Sequence, residues 1–359
     1  MDRKIILEDG TVYEGFGFGS TCERVVELVF NTSMVGYQEI ISDRSYTDQA
    51  VVMTYPVIGN YGIAADDFES EAPMISGLVV REYCNRPSNF RCMEELEDVM
   101  KRYDIAGVCG VDTRQITRHI RDYGSIKALI TDGGRDKDEA LAALRQTSLA
   151  TDQVKRASTK KAYRYGGADP EKEKPVVVID CGIKLNILRE LDSRGIPTIV
   201  VPWDTDAATI LTYDPAGVFI SNGPGNPEDC APTIETIRNL KGKFPIFGIC
   251  LGHQIISLAY GAKTYKLKFG HRGGNHPVKN LVTGKIEITS QNHSYAVVPE
   301  SLAGTGLTAT HLNLLDDTIE GIECEKDMLF SVQYHPESAP GPCDSQYLFD
   351  KFTTLLRRG

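Results

Sequence analysis

The chain has 359 residues, and 39 Lys+Arg against 49 Asp+Glu give a formal net charge of -10 at pH 7. This acidity disfavours a nucleic-acid-binding protein that works through a broad basic surface. The length fits two globular domains, and a hydrophobic content of 41% excludes a disordered or collagen-like chain.

The first 150 residues predict a small α+β domain. Short β-rich runs and then helical patterns occur in turn at 10–15, 25–30, 50–56, 93–102, 114–122 and 138–146. Asp112 or Thr113 is placed to cap the helix at 114–122. The amino-terminal residues lack the apolar core of a signal peptide, and no stretch reaches the ~18 apolar residues of a membrane span. We therefore expect no membrane association.

Residues 151–173 predict a linker between two domains. The segment loses apolar periodicity and is rich in basic, glycine and proline residues, namely Lys155, Arg156, Lys160, Lys161, Arg164, Gly166, Gly167 and Pro170. Such composition is typical of a solvated connector. A nucleic-acid patch is the alternative, which the acidity of the whole chain disfavours.

Residues 174–359 predict an α/β domain with a mostly parallel sheet and helices on both faces. Continuous apolar runs at 176–179, 198–201, 218–220 and 246–249 alternate with helical patterns at 186–194, 232–240 and 254–260. Strands that are apolar on both faces are typical of a parallel sheet covered by helices. We expect binding chemistry at the carboxyl ends of these strands.

Cys250 is the candidate nucleophile. The nine cysteines are an odd number without a Cys-x-x-Cys pair, which predicts free thiols in the reducing cytoplasm. Cys250 follows an apolar run and opens a helical pattern between Gly248 and Gly252, the thiol version of the strained turn that presents a nucleophile. The helix start stabilises a thiolate, and the Leu251 N–H is a candidate oxyanion donor. This context favours a nucleophile over a buried structural cysteine.

His335 is the candidate general base. Pro336 favours an extended conformation at His335, and residues i and i+2 of an extended chain project to the same side. Glu337 can therefore hydrogen-bond the His335 ring and support its protonated form. The pattern favours catalysis over a satisfied core histidine, whereas His253 is predicted to be structural because it points away from the thiol.

Two further loops carry weaker signals. Gly223-Pro224-Gly225 follows a strand and is either a simple turn or a source of backbone N–H groups for a small substrate; it lacks the residues of a phosphate loop. His271 and His276 lie at 268–277, where no neighbouring carboxylate or cysteine completes a metal ligand set. We predict a positioned loop there and no metal.

The order of the Gly223 loop, the Cys250 turn and the His335-Pro336-Glu337 sequence resembles the class I glutamine amidotransferases. This resemblance covers residues 174–359. In the first domain, segments 7–10, 30–40, 55–62 and 110–114 resemble the small, glutamine-hydrolysing subunits of carbamoyl-phosphate synthetase. The two resemblances together span nearly the whole chain.

The resemblance implies roles for individual residues. Cys250 would form a γ-glutamyl thioester, His335 would act as general base and acid, and Glu337 would orient His335. The family's L-glutamine pocket falls on Ser45, Gly223, Gly225, Leu251, Gln254, Asn292, Ser294 and Tyr295. Ser45, which by itself resembles an ordinary turn serine, would place the site at a domain interface. Ser294 replaces the usual glycine, which is tolerable where the position acts through its backbone without needing glycine dihedrals.

The resemblance also implies a partner. Ammonia would pass to a large synthetase subunit that binds ATP, magnesium and bicarbonate, while this chain would carry no cofactor of its own. Three alternatives stay open: a different class I amidotransferase, such as an aminodeoxychorismate or anthranilate partner, a non-catalytic docking subunit, and a Cys-His-Glu peptidase. The first domain disfavours the other amidotransferases, the retained triad disfavours pure docking, and the pocket residues disfavour a peptidase.

Overall fold

Two units make up the computed structural model, which describes residues 1–167 and 173–357: Met1–Ala150 and Thr151–Gly359. The strands of the first unit are β1 (Arg3–Leu7), β2 (Val12–Gly19), β3 (Arg24–Asn31), β4 (Gln49–Met53), β5 (Val57–Ile58), β6 (Gly77–Val79), β7 (Glu82–Tyr83), β8 (Ala106–Cys109) and β9 (Ile126–Asp132). Its helices are α1 (Tyr37–Ser42), α2 (Leu96–Arg102), α3 (Thr113–Tyr123) and α4 (Lys137–Gln146).

The first unit is built on a sheet that closes on itself. Seven strands pair in the order β1-β2-β8-β6-β4-β3-β9, and the separate pair β5-β7 is parallel. Val29 and Val51 pack with Ile41 of α1 and Met100 of α2 in one apolar core. Asp112 caps α3, because its side chain accepts a hydrogen bond of 2.9 Å from the Gln115 N–H. The predicted α+β character is thus observed, whereas the closure of the sheet had no sequence signal.

The second unit contains ten strands and six α-helices within the described residues. Its strands are β10 (Tyr163–Tyr165), β11 (Val176–Asp180), β12 (Thr198–Pro202), β13 (Gly217–Ile220), β14 (Ile246–Ile249), β15 (Thr264–Asn280), β16 (Ile286–Val297), β17 (Thr308–Asn313), β18 (Ile319–Cys324) and β19 (Leu329–Val332). Its helices are α5 (Gln153–Ala157), α6 (Leu185–Ser193), α7 (Ala207–Leu211), α8 (Ala231–Leu240), α9 (Leu251–Ala259) and α10 (Tyr347–Leu356).

One mixed sheet organises the second unit, in the order β10-β12-β11-β13-β14-β19-β18-β17-β15-β16. The five adjacent strands β12, β11, β13, β14 and β19 are parallel. The strands from β18 to β16 continue the sheet antiparallel. The α/β class is confirmed, and the parallel half aligns the carboxyl ends of its strands at one edge.

Alternate residues of β11, an interior strand of the parallel half, enter two different cores. Val177 and Ile179 of β11 belong to the core that contains Ile237 of α8 and Ile255 of α9. Val176 and Val178 belong to the opposite core with α6 and α10. Because successive side chains of a strand point to opposite faces, a strand covered on both sides must be apolar throughout. This packing explains the continuous apolar runs.

Two expectations from the sequence need correction. The segment 151–173, predicted as a linker, includes helix α5 and strand β10, and β10 pairs antiparallel with β12 because its Tyr-Arg-Tyr sequence suits a sheet edge. Pro170 lies outside the described residues. His271 and His276 lie within the long strand β15 rather than in a loop; register shifts in its pairing with β16 interrupt the simple alternation that sequence reading depends on.

None of the helices in the described part of the chain is long and apolar enough to cross a lipid bilayer.

Candidate active site

Cys250 sits at a sharp turn between β14 and α9. Its backbone φ is 54°, a positive value that residues other than glycine rarely adopt. A Cβ on Gly248 would lie 2.5 Å from Ile256 Cδ1, and one on Gly252 would lie 2.3 Å from the Ile220 carbonyl oxygen. Both flanking glycines are therefore required by the close packing of α9 on the sheet, as expected for a nucleophile turn.

The Cys250 thiol is almost fully buried. The residue is 2% exposed, its N–H donates to the Val332 carbonyl at 2.9 Å, and its Sγ lies 3.5 Å from the Asn292 carbonyl oxygen. Leu251 is the first residue of α9. Its N–H is therefore one of the first-turn N–H groups, which have no hydrogen-bond acceptor within the helix. A thiol next to such N–H groups is placed for attack on a carbonyl carbon whose oxygen they bind.

His335, Glu337 and Lys184 form a buried polar chain beside this turn. Glu337 Oε1 accepts a hydrogen bond of 2.7 Å from His335 Nδ1 and lies 3.0 Å from the Lys184 ammonium nitrogen. All three residues are at most 3% exposed. The His335 N–H donates to the Ser290 carbonyl at 2.9 Å, which fixes the backbone of the histidine. The predicted i, i+2 contact between His335 and Glu337 is present in the structure.

Opposing electrostatic effects set the protonation states of Glu337 and His335. Burial raises the pKa of Glu337, but the charges of Lys184 and His335 outweigh it and lower the pKa to about 2. Burial lowers the pKa of His335, and the Glu337 charge together with the Cys250 thiol outweighs it, so the net pKa is raised. The other ring nitrogen of His335, Nε2, makes no hydrogen bond of good geometry to any described residue. The arrangement therefore favours an imidazolium that holds its second proton toward the thiol.

Lys184 is the functional side chain that sequence reasoning missed. It follows β11, its backbone N–H donates to Asn222 Oδ1 at 3.1 Å, and its ammonium donates to the Ser338 carbonyl at 2.6 Å. The rule that chemistry gathers at the carboxyl ends of parallel strands was a signal that could have found it. No local pattern around residue 184 pairs it with a carboxylate 153 positions later.

The predicted pocket residues of the second unit lie on elements around Cys250. Gly223 follows β13, where a Cβ would lie 2.2 Å from the Cys181 carbonyl and 2.9 Å from Leu251 Cδ2. Gly225 has a φ of +85°, and Gln254 donates to the Tyr295 carbonyl at 2.8 Å. These contacts connect the Gly223 loop, α9 and β16.

Ser294 and Ser45 are the two serines of the predicted pocket. Ser294 lies within β16, an extended strand that does not require glycine, and its hydroxyl accepts a hydrogen bond from Arg272. Ser45 belongs to the first unit, in a turn where its N–H donates to Asp43 at 2.8 Å. Its contact with glutamine stays a prediction.

Two family models divide the chain. The model described as "Glutamine amidotransferase class-I" matches residues 177–355, and the model described as "Carbamoyl-phosphate synthase small chain, CPSase domain" matches residues 5–130. The carbamoyl phosphate synthase small chain of Fusobacterium nucleatum is 52% identical over 351 residues, which cover 98% of this chain and 97% of that relative. The chain belongs to the carbamoyl phosphate synthase small chain family.

Other relatives are similar to this chain over nearly its whole length. The small chain of Staphylococcus haemolyticus is 52% identical, covering 99% of this chain and 96% of the relative. The protein named "Carbamoyl phosphate synthase pyrimidine-specific small chain" from Halalkalibacterium halodurans is 52% identical, covering 99% and 97%. The family resemblance seen in the sequence is confirmed, and with it the glutamine amidotransferase class of enzyme. The match at residues 5–130 removes the anthranilate and aminodeoxychorismate alternatives.

One sequence expectation about histidines is wrong. No carboxylate was expected near His271, yet Glu320 Oε1 of β18 lies 3.7 Å from His271 Nδ1 and 3.9 Å from His293 Nε2 of β16. The spacing of residues along the chain did not reveal that Glu320 is near His271. The two residues come together only in the folded sheet, where β18 and β15 lie on either side of β17. His253, by contrast, is buried with Nδ1 3.0 Å from the Ser331 hydroxyl.

Gly252→Ala should destabilise the protein. The new Cβ would overlap the Ile220 carbonyl, and such overpacking costs about 1–3 kcal/mol in the free energy of unfolding. Urea unfolding measures the change. Gly167→Ala is the matched control, because no atom lies within 4 Å of its added Cβ, and it should change stability by less than about 0.5 kcal/mol. Equal stability of the two variants would contradict the packing described for this turn.

Lys184→Met should destabilise the protein strongly, because it leaves Glu337 buried without its cation. Removing one partner of a buried ion pair costs about 3–5 kcal/mol. The matched control is Lys174→Met, which removes an ion pair whose side chains are 61% and 75% exposed and should cost less than about 1 kcal/mol.

The same variant should change the pH dependence of stability. The lowered pKa of Glu337 stabilises the folded chain above its ordinary pKa of 4.5, and this stabilisation is lost as the pH falls through about 2. Without Lys184 the folded-state pKa rises, so the loss should begin at higher pH. Urea unfolding between pH 3 and 7 tests this; identical pH profiles for the two lysine variants would argue against the role of Lys184.

Proposed function

We propose that this chain hydrolyses the side-chain amide of L-glutamine at Cys250 and passes the ammonia to a large synthetase subunit. The observation that carries the proposal is the buried contact series from Lys184 through Glu337 to His335 beside a nucleophile turn. Family membership supplies the reaction class, and the geometry supplies a role for each side chain.

The first half of the reaction forms a thioester. The Cys250 thiolate attacks the amide carbonyl carbon of glutamine, and the Leu251 N–H with an N–H of the Gly223–Gly225 loop stabilises the oxyanion. His335 then gives its proton to the amide nitrogen as the carbon–nitrogen bond breaks. Ammonia leaves, and a γ-glutamyl thioester remains on Cys250.

The second half releases glutamate. His335, now neutral, takes a proton from a water molecule that attacks the thioester carbonyl. The carbon–sulfur bond breaks, glutamate leaves, and the thiolate and imidazolium are restored. Glu337 holds Nδ1–H throughout, so Nε2 is the atom that exchanges the proton.

Substrate recognition is assigned to the predicted pocket. Asn292, Ser294 and Tyr295 lie on β16, whose Asn292 carbonyl is next to the thiol, and Gln254 positions the carbonyl of Tyr295. Ser294 is proposed to act through its backbone, since its hydroxyl is engaged by Arg272. A contact between Ser45 and glutamine is proposed from the family resemblance alone.

The partner is proposed to carry the rest of the chemistry. Family membership implies a large subunit, to which we assign ATP, magnesium and bicarbonate. Free ammonia is largely protonated at neutral pH, so direct transfer to the partner preserves the nucleophilic form. All nine cysteines are free thiols, which supports the reducing cytoplasm as the compartment.

Glutamate release from glutamine tests the proposal. Activity of the chain alone should be low and should rise when the large subunit, ATP and bicarbonate are added. Cys250→Ser should lower glutamate release at least about a thousandfold under both conditions. Cys343→Ser, the same change at an exposed thiol, should leave it unchanged.

The remaining outcomes separate the alternatives. Glutamate release that survives Cys250→Ser would overturn the assignment of the nucleophile. Absence of release under every condition, with the large subunit still bound, would indicate a docking subunit without catalysis.

A further inference from the structure

Three buried side chains meet outside the catalytic series. His271 of β15, His293 of β16 and Glu320 of β18 each offer one ligand atom, and these atoms lie within 4.8 Å of one another. The residues are 7%, 4% and 0% exposed. Neither the triad nor the proposed glutamine pocket uses their side chains.

His293 turns a bare ring nitrogen toward the cluster. Its Nδ1 lies 2.8 Å from the Tyr295 carbonyl oxygen, and since a carbonyl only accepts, Nδ1 carries the ring proton. Burial disfavours a second proton, so Nε2 is a lone pair. That lone pair faces the Gln291 Oε1 at 2.9 Å and Glu320 Oε1 at 3.9 Å. Three acceptors that face one another leave room for a proton donor or a cation between them.

His271 is oriented in the same sense. Its Nε2 lies 2.9 Å from Asp316 Oδ2, so the ring proton there is donated to a carboxylate. Its Nδ1 then faces Glu320 Oε1 at 3.7 Å, with the Asn313 amide nitrogen at 3.4 Å. A histidine that donates one N–H to a carboxylate and turns the other nitrogen inward is typical of metal ligands.

Glu320 is a fully buried carboxylate whose Oε1 lies 3.7 Å from His271 Nδ1 and 3.9 Å from His293 Nε2. Its Oε1 accepts hydrogen bonds from Asn313 at 3.2 Å and Thr318 at 3.3 Å. Its Oε2 is buried without a hydrogen-bond partner among the described residues. A carboxylate in this environment is costly unless a cation or proton compensates it.

We propose that His271 Nδ1, His293 Nε2 and Glu320 bind one divalent transition-metal ion, with Zn²⁺ the best match. Separations of 3.7 and 3.9 Å to Glu320 Oε1 are too long for hydrogen bonds. Ligand atoms at about 2.0–2.2 Å from one zinc ion lie roughly 3.3–3.6 Å apart in a tetrahedron. The two separations from Glu320 must therefore shorten by a few tenths of an ångström, and the separation between the two histidine nitrogens, which is within 4.8 Å, by up to about 1.5 Å. Two imidazoles and a carboxylate suit zinc better than magnesium or calcium.

The ion would fasten three strands of the antiparallel extension. His293 stands between Asn292 and Ser294 on β16, so a metal bond at His293 would hold the strand of the proposed pocket against β15 and β18. The proposal concerns binding of the ion and does not depend on glutamine hydrolysis.

Zinc titration of the full chain tests the site. The Cys250→Ser variant serves as the parent, so that zinc cannot bind the catalytic thiol. After removal of metal with a chelator, competition with a chromophoric chelator should reveal one zinc ion per chain. Glu320→Gln and His271→Asn should each weaken zinc binding at least about tenfold. His276→Asn is the matched control, with its ring centre 5.4 Å from that of His271, and should leave the affinity unchanged.

Cobalt provides a second readout. Co²⁺ bound by the parent should show the intense visible bands of a four-coordinate site, and Glu320→Gln should abolish them while the circular dichroism spectrum stays that of the parent. If either variant fails to fold, the cobalt spectrum and the rise of the parent's Tm with zinc still decide the matter. Absence of stoichiometric zinc in the parent, or unchanged binding in folded Glu320→Gln, would overturn the proposal. In that case the side-chain amide of Gln291 is turned so that its NH₂ group donates a hydrogen bond to His293 Nε2, and no metal ion is needed there.

Discussion

The buried ion pair between Lys184 and Glu337 is the interaction on which the site depends. A carboxylate in the protein interior stays charged only where a cation and hydrogen bonds compensate for lost solvation. Lys184 supplies that compensation, Glu337 can then hold the His335 ring, and His335 can keep a proton next to Cys250. Each step requires the one before it.

The parallel half of the sheet makes this series of contacts possible. Lys184 follows β11, the Gly223 loop follows β13, Cys250 follows β14 and His335 follows β19, so groups far apart in the chain meet at one edge. The helices on both faces fix the strands through two apolar cores. The strain at Cys250 and the close contact at Gly252 are tolerated because this packing over-determines the turn.

Local patterns predicted the parts of the fold that local chemistry controls. The apolar strands, the helices between them, the Cys250 turn and the His335–Glu337 contact all follow from short-range periodicity. Lys184 and Glu320 were missed because their partners come from distant strands. The antiparallel strands from β15 to β18 were missed because glycine, proline and charged residues interrupt their alternation, and the closed sheet of the first unit was missed for the same lack of a local signal. Family resemblance identified that first unit where periodicity alone did not.

The protonation state of His335 tests the central claim most directly. In a chain labelled with ¹⁵N-histidine, and with His335→Asn used for assignment, the ring nitrogens of His335 should keep the shifts of an imidazolium well above pH 6.5, the ordinary pKa of histidine. Glu337→Gln should lower the pKa of His335, because the charge that holds the proton is removed. A His335 ring that is neutral at pH 7 in the unaltered chain would contradict the central claim.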